Sequence, residues 1–272
     1  MPLPYDVLNH ICDIVAQRND RATLRSLALV SSQLASHCQR HLLVNVTLSI
    51  SDHKVVYRRR IEGLAKVVQE NSKIGPWIKS LTINVSSCDE NPFLPALLTK
   101  CTGVEALSLS ASNPFAIQEP VLPTSFAEAT SASLEAILSS DTLRRLFISG
   151  FQMPSPAFFS RCPSQLSNLT VLCKETSGPL PSEKDRAGPP IRLQYLDGRS
   201  RTISHLATAE SEDGQAVFDF SHLKELSTQF IEVEDHPRHI NDVLRRNAPL
   251  EKMMLSAIGK ATQVLTFIYF SY

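Results

Sequence analysis

The sequence predicts an α/β protein in two parts, a three-helix bundle over residues 1–45 followed by an irregular α/β solenoid over residues 46–272. Three observations lead there. Amphipathic runs crowd the N-terminal segment. A short apolar motif then recurs along the rest of the chain. The composition, 43% apolar and 20% charged, is that of an ordinary globular protein with enough length for one or two domains.

The first helix follows from Val7, Leu8, Ile11, Ile14 and Val15, which fall at helical spacing and read as a single apolar stripe. Pro4 suits its start, because a proline lacks the N–H that a first turn leaves unpaired. Asp20 is an N-cap for the second helix, whose apolar face is Leu24, Leu27 and Ala28. Ser31 or Ser32 opens the third, with Leu34, Cys38, His41 and Leu42 on one side. So short a bundle covers too little of its own surface to be robust and tends to leave apolar area for a partner.

Val44 to Ile50 alternates β-branched and polar residues, as a strand does. A helix is expected from about Arg59 to Asn71, with Ile61, Leu64, Ala65 and Val68 inward. The pattern apolar-x-x-apolar-x-apolar then starts at Ile78, Val104, Leu143 and Leu166, and in weaker form at Leu193, Leu223 and Leu250. The starts lie 26, 39, 23, 27, 30 and 27 residues apart. Most of these spacings are in or near the roughly 20–29-residue period of leucine-rich repeats. The last two apolar positions of each copy are two apart, so they share one face of a short strand. One such unit cannot bury its own face, whereas several stacked units build a continuous core. Return helices are expected within Pro92–Cys101, Ser125–Ser140, Ser155–Cys162 and Pro237–Arg246. Loops are expected at Asn113–Pro123, Lys174–Pro190 and Ala209–Gly214, on a rim where partners often bind. The C-terminal run Val264 to Tyr272 is apolar and β-prone, and fits either a repeat array cut short or a buried last strand.

Lys plus Arg equals Asp plus Glu, at 27 each, which argues against a nucleic-acid binder. Arg58-Arg59-Arg60 reads as a solvated helix face. The six cysteines are scattered without a C-x-x-C pair and read as reduced, buried thiols. The first fifteen residues lack a secretory signal, and no apolar run reaches the length of a membrane span. The three glycosylation acceptor matches, at Asn45, Asn84 and Asn168, then read as chance. The expected location is the cytoplasm, the nucleus or both. No G-x-G-x-x-G or G-x-S-x-G occurs, and Gly259-Lys260-Ala261-Thr262 lacks the preceding glycine of a phosphate loop. His37, Cys38 and His41 lie close on one helix, but no further ligands follow at zinc-site spacing. Asp235, His236 and His239 around Pro237 read as a helix start. No catalytic residue, metal or cofactor is therefore expected.

Leu3-Pro4, Val7-Leu8 and Ile11, then Leu24, Leu27 and Leu29-Val30, then Leu42-Leu43 at the end of the third helix together resemble the F-box. Leu34 stands nearest the tryptophan many F-boxes carry, and Ser31-Ser32 stands where a cysteine is usual. With Gly75-Pro76-Trp77-Ile78 leading into the first repeat, the chain is similar to the F-box/leucine-rich-repeat proteins of fungi. The resemblance implies a substrate-recognition subunit of a cullin-based (SCF-type) ubiquitin ligase, without chemistry of its own. Its partners would be a Skp-type adaptor, the cullin and a protein target. Leu3, Pro4, Val7, Leu8, Ile11, Leu24, Leu27 and Val30 would contact the adaptor. The same residues also fit an ordinary helical cap on a generic α/β domain with leucine-rich strands, and a non-ligase interaction scaffold is the alternative function.

Overall fold

In the computed structural model, residues 4–48, 54–85, 91–111, 126–174, 189–210, 214–230, 250–258 and 264–269 are described. The N-terminal segment forms helices α1 (Tyr5–Gln17), α2 (Arg21–Val30) and α3 (Ser32–Leu43). Pro4 occupies the N-cap position of α1. Asn19, at φ 58°, reverses the chain after α1, a left-handed conformation that asparagine tolerates well. Asp20 then caps α2 as expected, its carboxylate accepting from the Thr23 N–H at 3.0 Å and from the Thr23 hydroxyl. Those bonds hold the Asp20 carboxyl below its ordinary range. Arg21 donates to the carbonyl of Leu42 at 2.8 Å, so a side chain of α2 satisfies the last turn of α3. The bundle has its own small core of Cys12, Leu24, Leu34 and Cys38, with Leu8, Val15, Leu27 and Leu42 packed around it.

The rest of the described chain is α/β. Strands β1 (Asn45–Leu48), β2 (Ser80–Val85), β3 (Ala106–Ala111), β4 (Arg145–Gln152) and β5 (Asn168–Lys174) are followed by β6 (Ile191–Arg192), β7 (Tyr195–Arg199), β8 (Phe218–Asp219), β9 (Glu225–Phe230), β10 (Lys252–Ile258) and β11 (Val264–Tyr269). Nine of them form one sheet in the order β1-β2-β3-β4-β5-β7-β9-β10-β11, and β6 pairs with β8 in a small second sheet. The main sheet is parallel from β1 to β10, and β11 closes it antiparallel on β10. Strand order follows chain order without the reversal that marks a doubly wound sheet.

Each of the seven motif copies supplies one strand of this sheet, the three weaker copies included. The first apolar residue of each of the first six copies (Ile78, Val104, Leu143, Leu166, Leu193 and Leu223) is buried below the strand. A backbone bond pattern repeats with them. The N–H groups of Lys79 and Ser80 both donate to the carbonyl of Val44, those of Glu105 and Ala106 to Lys79, and those of Arg144 and Arg145 to Glu105. The same pairing continues at Ser167, Gln194, Lys224 and Glu251. The strands β2, β3, β4, β5, β7, β9 and β10 are thus each seated on the one before in the sheet by the same bifurcated contact.

The register places Val46, Leu81, Leu107, Leu146, Leu169, Leu196 and Leu226 in one row across the sheet. That row faces the helices α4 (Lys54–Glu70), α5 (Leu94–Lys100), α6 (Glu128–Leu138), α7 (Pro156–Ser160) and α8 (Ser200–Ala207). Ile61, Val68, Leu97, Leu98, Leu134, Ile137, Phe159 and Ile203 of those helices share one hydrophobic core with it. The 3₁₀ turn Gly75–Trp77 is sealed by close approach, since a Cβ on Gly75 would lie 2.0 Å from the Lys100 carbonyl oxygen. Gly150 sits at φ 74° where β4 slips register against β5, and a Cβ there would lie 2.0 Å from the Ala111 carbonyl oxygen.

Differences from expectation have local causes. Helix α4 begins five residues before the expected Arg59, and Tyr57 of the added turn is buried in the main core while Val55 and Val56 stay exposed. Helix α8 and the β6–β8 pair are not anticipated. They follow from Ile203, Leu206, Phe218 and Phe220 joining the main core from a stretch that carries no copy of the motif. The last apolar segment is a strand, β11, paired on β10. The expected helix at Pro237–Arg246, the loop at Asn113–Pro123 and nearly all of that at Lys174–Pro190 lie outside the described residues, as do Gly259–Thr262.

Candidate interaction surfaces

The single apolar stripe expected on α1 is two stripes. Leu8, Cys12 and Val15 turn inward to the bundle core. Val7, Ile11 and Ile14, also at i, i+4 and i+7, turn outward and are 43%, 39% and 37% exposed. Tyr5, in the first turn and on another side of α1, is also 50% exposed. At the end of α2, Leu29 and Val30 are 88% and 79% exposed. Scattered exposed apolar residues are ordinary, but six large ones on two short helices of one small bundle are a candidate interface.

The eight residues expected at an adaptor contact divide accordingly. Pro4, Val7, Ile11 and Val30 are exposed. Leu8 and Leu27 are half-buried against the bundle's own core. Leu24 is 3% exposed and lies inside that core, so it positions α2 and touches no partner while the bundle stays closed. Leu3 lies outside the described residues. The expected contact set leaves out the exposed Tyr5, Ile14 and Leu29; in the sequence Ile14 reads as part of a single stripe because the two stripes of α1 are both apolar.

Beside the bundle core, polar side chains gather. Cys12 and Cys38 bring their sulfurs to 3.4 Å, far longer than a disulfide bond, so both are free thiols in contact. His37 and His41, one turn apart on α3, both direct Nε2 at Oδ1 of Asp13 on α1, at 2.9 and 2.7 Å. The ring planes are inclined at 77°. The imidazole bonds, His37 first, hold the Asp13 carboxyl below its ordinary range. Spacing within one helix reveals the histidine pair. Asp13 arrives from another helix, which no local pattern signals.

The second surface is the sheet face away from the helices. Parallel sheets are usually covered on both faces. Here the second row reads Asn45, Ser80, Ala106, Arg145, Asn168, Tyr195, Glu225 and Lys252 in register, and the next reads Thr47, Thr82, Ser108, Phe147, Thr170, Asp197, Ser227 and Met254. These are the x positions of the repeated motif. Mostly polar, they leave an open hollow of about 370 Å³ lined by Ser80, Ser108, Arg145, Phe147, Asn168 and Tyr195, among others. Burial raises the Asp197 carboxyl above its ordinary range against a bond from Ser227. It also raises the Tyr195 phenol, helped by the charges of Asp197 and Glu225. The hollow offers hydrogen-bonding groups, one guanidinium and two aromatic rings on a rigid sheet, a surface suited to holding a peptide or a folded partner.

Among the described residues no helix is long and apolar enough to cross a membrane. Compared with protein-family models and with curated proteins, the chain matches none.

Proposed function

We propose that this chain is a substrate-recognition subunit of a cullin-based ubiquitin ligase, in which α1–α3 act as an F-box and the β1–β11 region acts as a leucine-rich-repeat-like target holder. The observation that carries the reading is the outward stripe of Val7, Ile11 and Ile14, together with the exposed Tyr5, Leu29 and Val30, on a bundle with a core of its own. A cap that served only its own domain would turn these residues inward. The repeated bifurcated contact between strands supports the solenoid part of the reading. The mostly polar sheet face, which carries no helix among the described residues, gives the target a rigid seat. The mechanism is proximity: one body holds both the ligase and its target, so transfer from the charged enzyme becomes effectively intramolecular.

A pull-down of the full chain with a Skp-type adaptor and its cullin tests this. Wild type is expected to bind, and Val7→Asp/Ile11→Asp is expected to lose binding while keeping its circular dichroism. Leu8→Asp is the poorer probe, since Leu8 packs on the bundle core and its loss is expected to destabilise the bundle itself. If neither wild type nor the variant binds, the chain is a scaffold without a ligase.

A further inference from the structure

We propose that Asp13, His37 and His41 form a three-ligand site for a transition metal ion, zinc(II) by the chemistry of the donors. Among the described residues this is the one group of three His, Cys, Asp or Glu donors close enough to share an ion. The two Nε2 atoms lie 3.4 Å apart, and Oδ1 of Asp13 lies 2.9 and 2.7 Å from them. Ligands about 2.0–2.1 Å from a tetrahedral zinc ion stand roughly 3.3 Å from one another. The nitrogens already have that separation, and the carboxylate oxygen needs to withdraw by about half an ångström.

The unliganded cluster is unusual in its hydrogen bonding. An ionised carboxylate only accepts, so both imidazoles carry a proton on Nε2 and aim it at one oxygen. An ion at the same point takes both Nε2 lone pairs, and in each neutral ring the proton moves to Nδ1 through solvent. The side chains are 22%, 25% and 43% exposed for His37, His41 and Asp13, which leaves a path in and an open fourth position for water. Two imidazoles and one carboxylate suit zinc(II) better than magnesium or calcium, which prefer oxygen. Cys38, next to His37 in the chain, is not a ligand, because its sulfur is turned to Cys12 in the core. The bound ion would tie α1 to α3 in a bundle whose own apolar core is small. This inference is independent of the ligase reading.

The test uses the full chain freed of metal with a chelator, titrated with zinc chloride by calorimetry. Wild type is expected to take up one equivalent and to melt at higher temperature with zinc. Asp13→Asn and His37→Gln/His41→Gln are each expected to bind more than about tenfold more weakly. Cobalt(II) in wild type is expected to give visible bands of a low-coordinate site without a thiolate-to-metal band. Should those variants misfold, His37→Cys provides the second reading, since it keeps three ligands and is expected to add that band. Absence of uptake by wild type overturns the proposal. So does full affinity in His37→Gln/His41→Gln, a thiolate band in wild type, or none in the folded His37→Cys protein.

Discussion

Burial governs the chemistry of individual side chains. Cys38, Cys101 and Cys162 have thiol pKa values pushed up to about 12, by desolvation and, for Cys38, also by its contact with Cys12. The thiolate is the nucleophile, so these groups are expected to be inert while folded. In a Cys88→Ser background, iodoacetamide at pH 8 is expected to leave the native protein unlabelled and to label all five remaining cysteines in denaturant. Rapid labelling of the native protein would contradict the burial. Asp197 carries the opposite kind of consequence. Its folded pKa lies above its ordinary 3.8, so the charged carboxylate opposes folding once pH exceeds the folded value. The groups on its face are Thr170 and Ser227 across the sheet and Tyr195 and Arg199 along β7, and burial outweighs them. Asp197→Asn is expected to raise the melting temperature at pH 7. That gain should shrink as pH falls and vanish below 3.8; a gain that persists there would show another cause.

At the scale of elements, the alternation within each strand decides which positions bear load. Leu146 on the interior strand β4 is 2% exposed, and Leu146→Ala is expected to cost about 2–5 kcal/mol in denaturant unfolding. Leu29→Ser, at 88% exposure, is expected to stay within about 0.5 kcal/mol of wild type. Gly150→Ala is expected to cost more than about 1 kcal/mol, because alanine resists the positive φ and its Cβ meets the Ala111 carbonyl. These strands were legible because a period of two is a strong local signal and the anchor residue precedes it at a fixed offset. The cap of α2 was legible for the same local reason, whereas Pro4, expected in the first turn of α1, stands just before it. The split of Val7 and Ile11 from Leu8 and Val15 was not, because both stripes are apolar and only the partners α2 and α3 distinguish them. Asp13 joining His37 and His41 was not legible either, since the contact spans 24 and 28 residues of sequence.

The whole molecule inherits its plan from repetition. In the main sheet each strand from β2 to β10 seats on the one before by the same contact, strand order follows chain order, and among the described residues the helices α4 to α8 lie on one face. The bundle joins this body through Leu43, which packs on the main core, and the short step from α3 into β1. Two surfaces result, one greasy and one polar, on separate parts of the chain. The most direct test of that division is hydrogen exchange of the full chain with and without a Skp-type adaptor. Slowed exchange confined to α1–α3, with the strands β2 to β9 unchanged, is the predicted result. Unchanged exchange across α1 and α2 at saturating adaptor, or slowing confined to the sheet, would contradict the account.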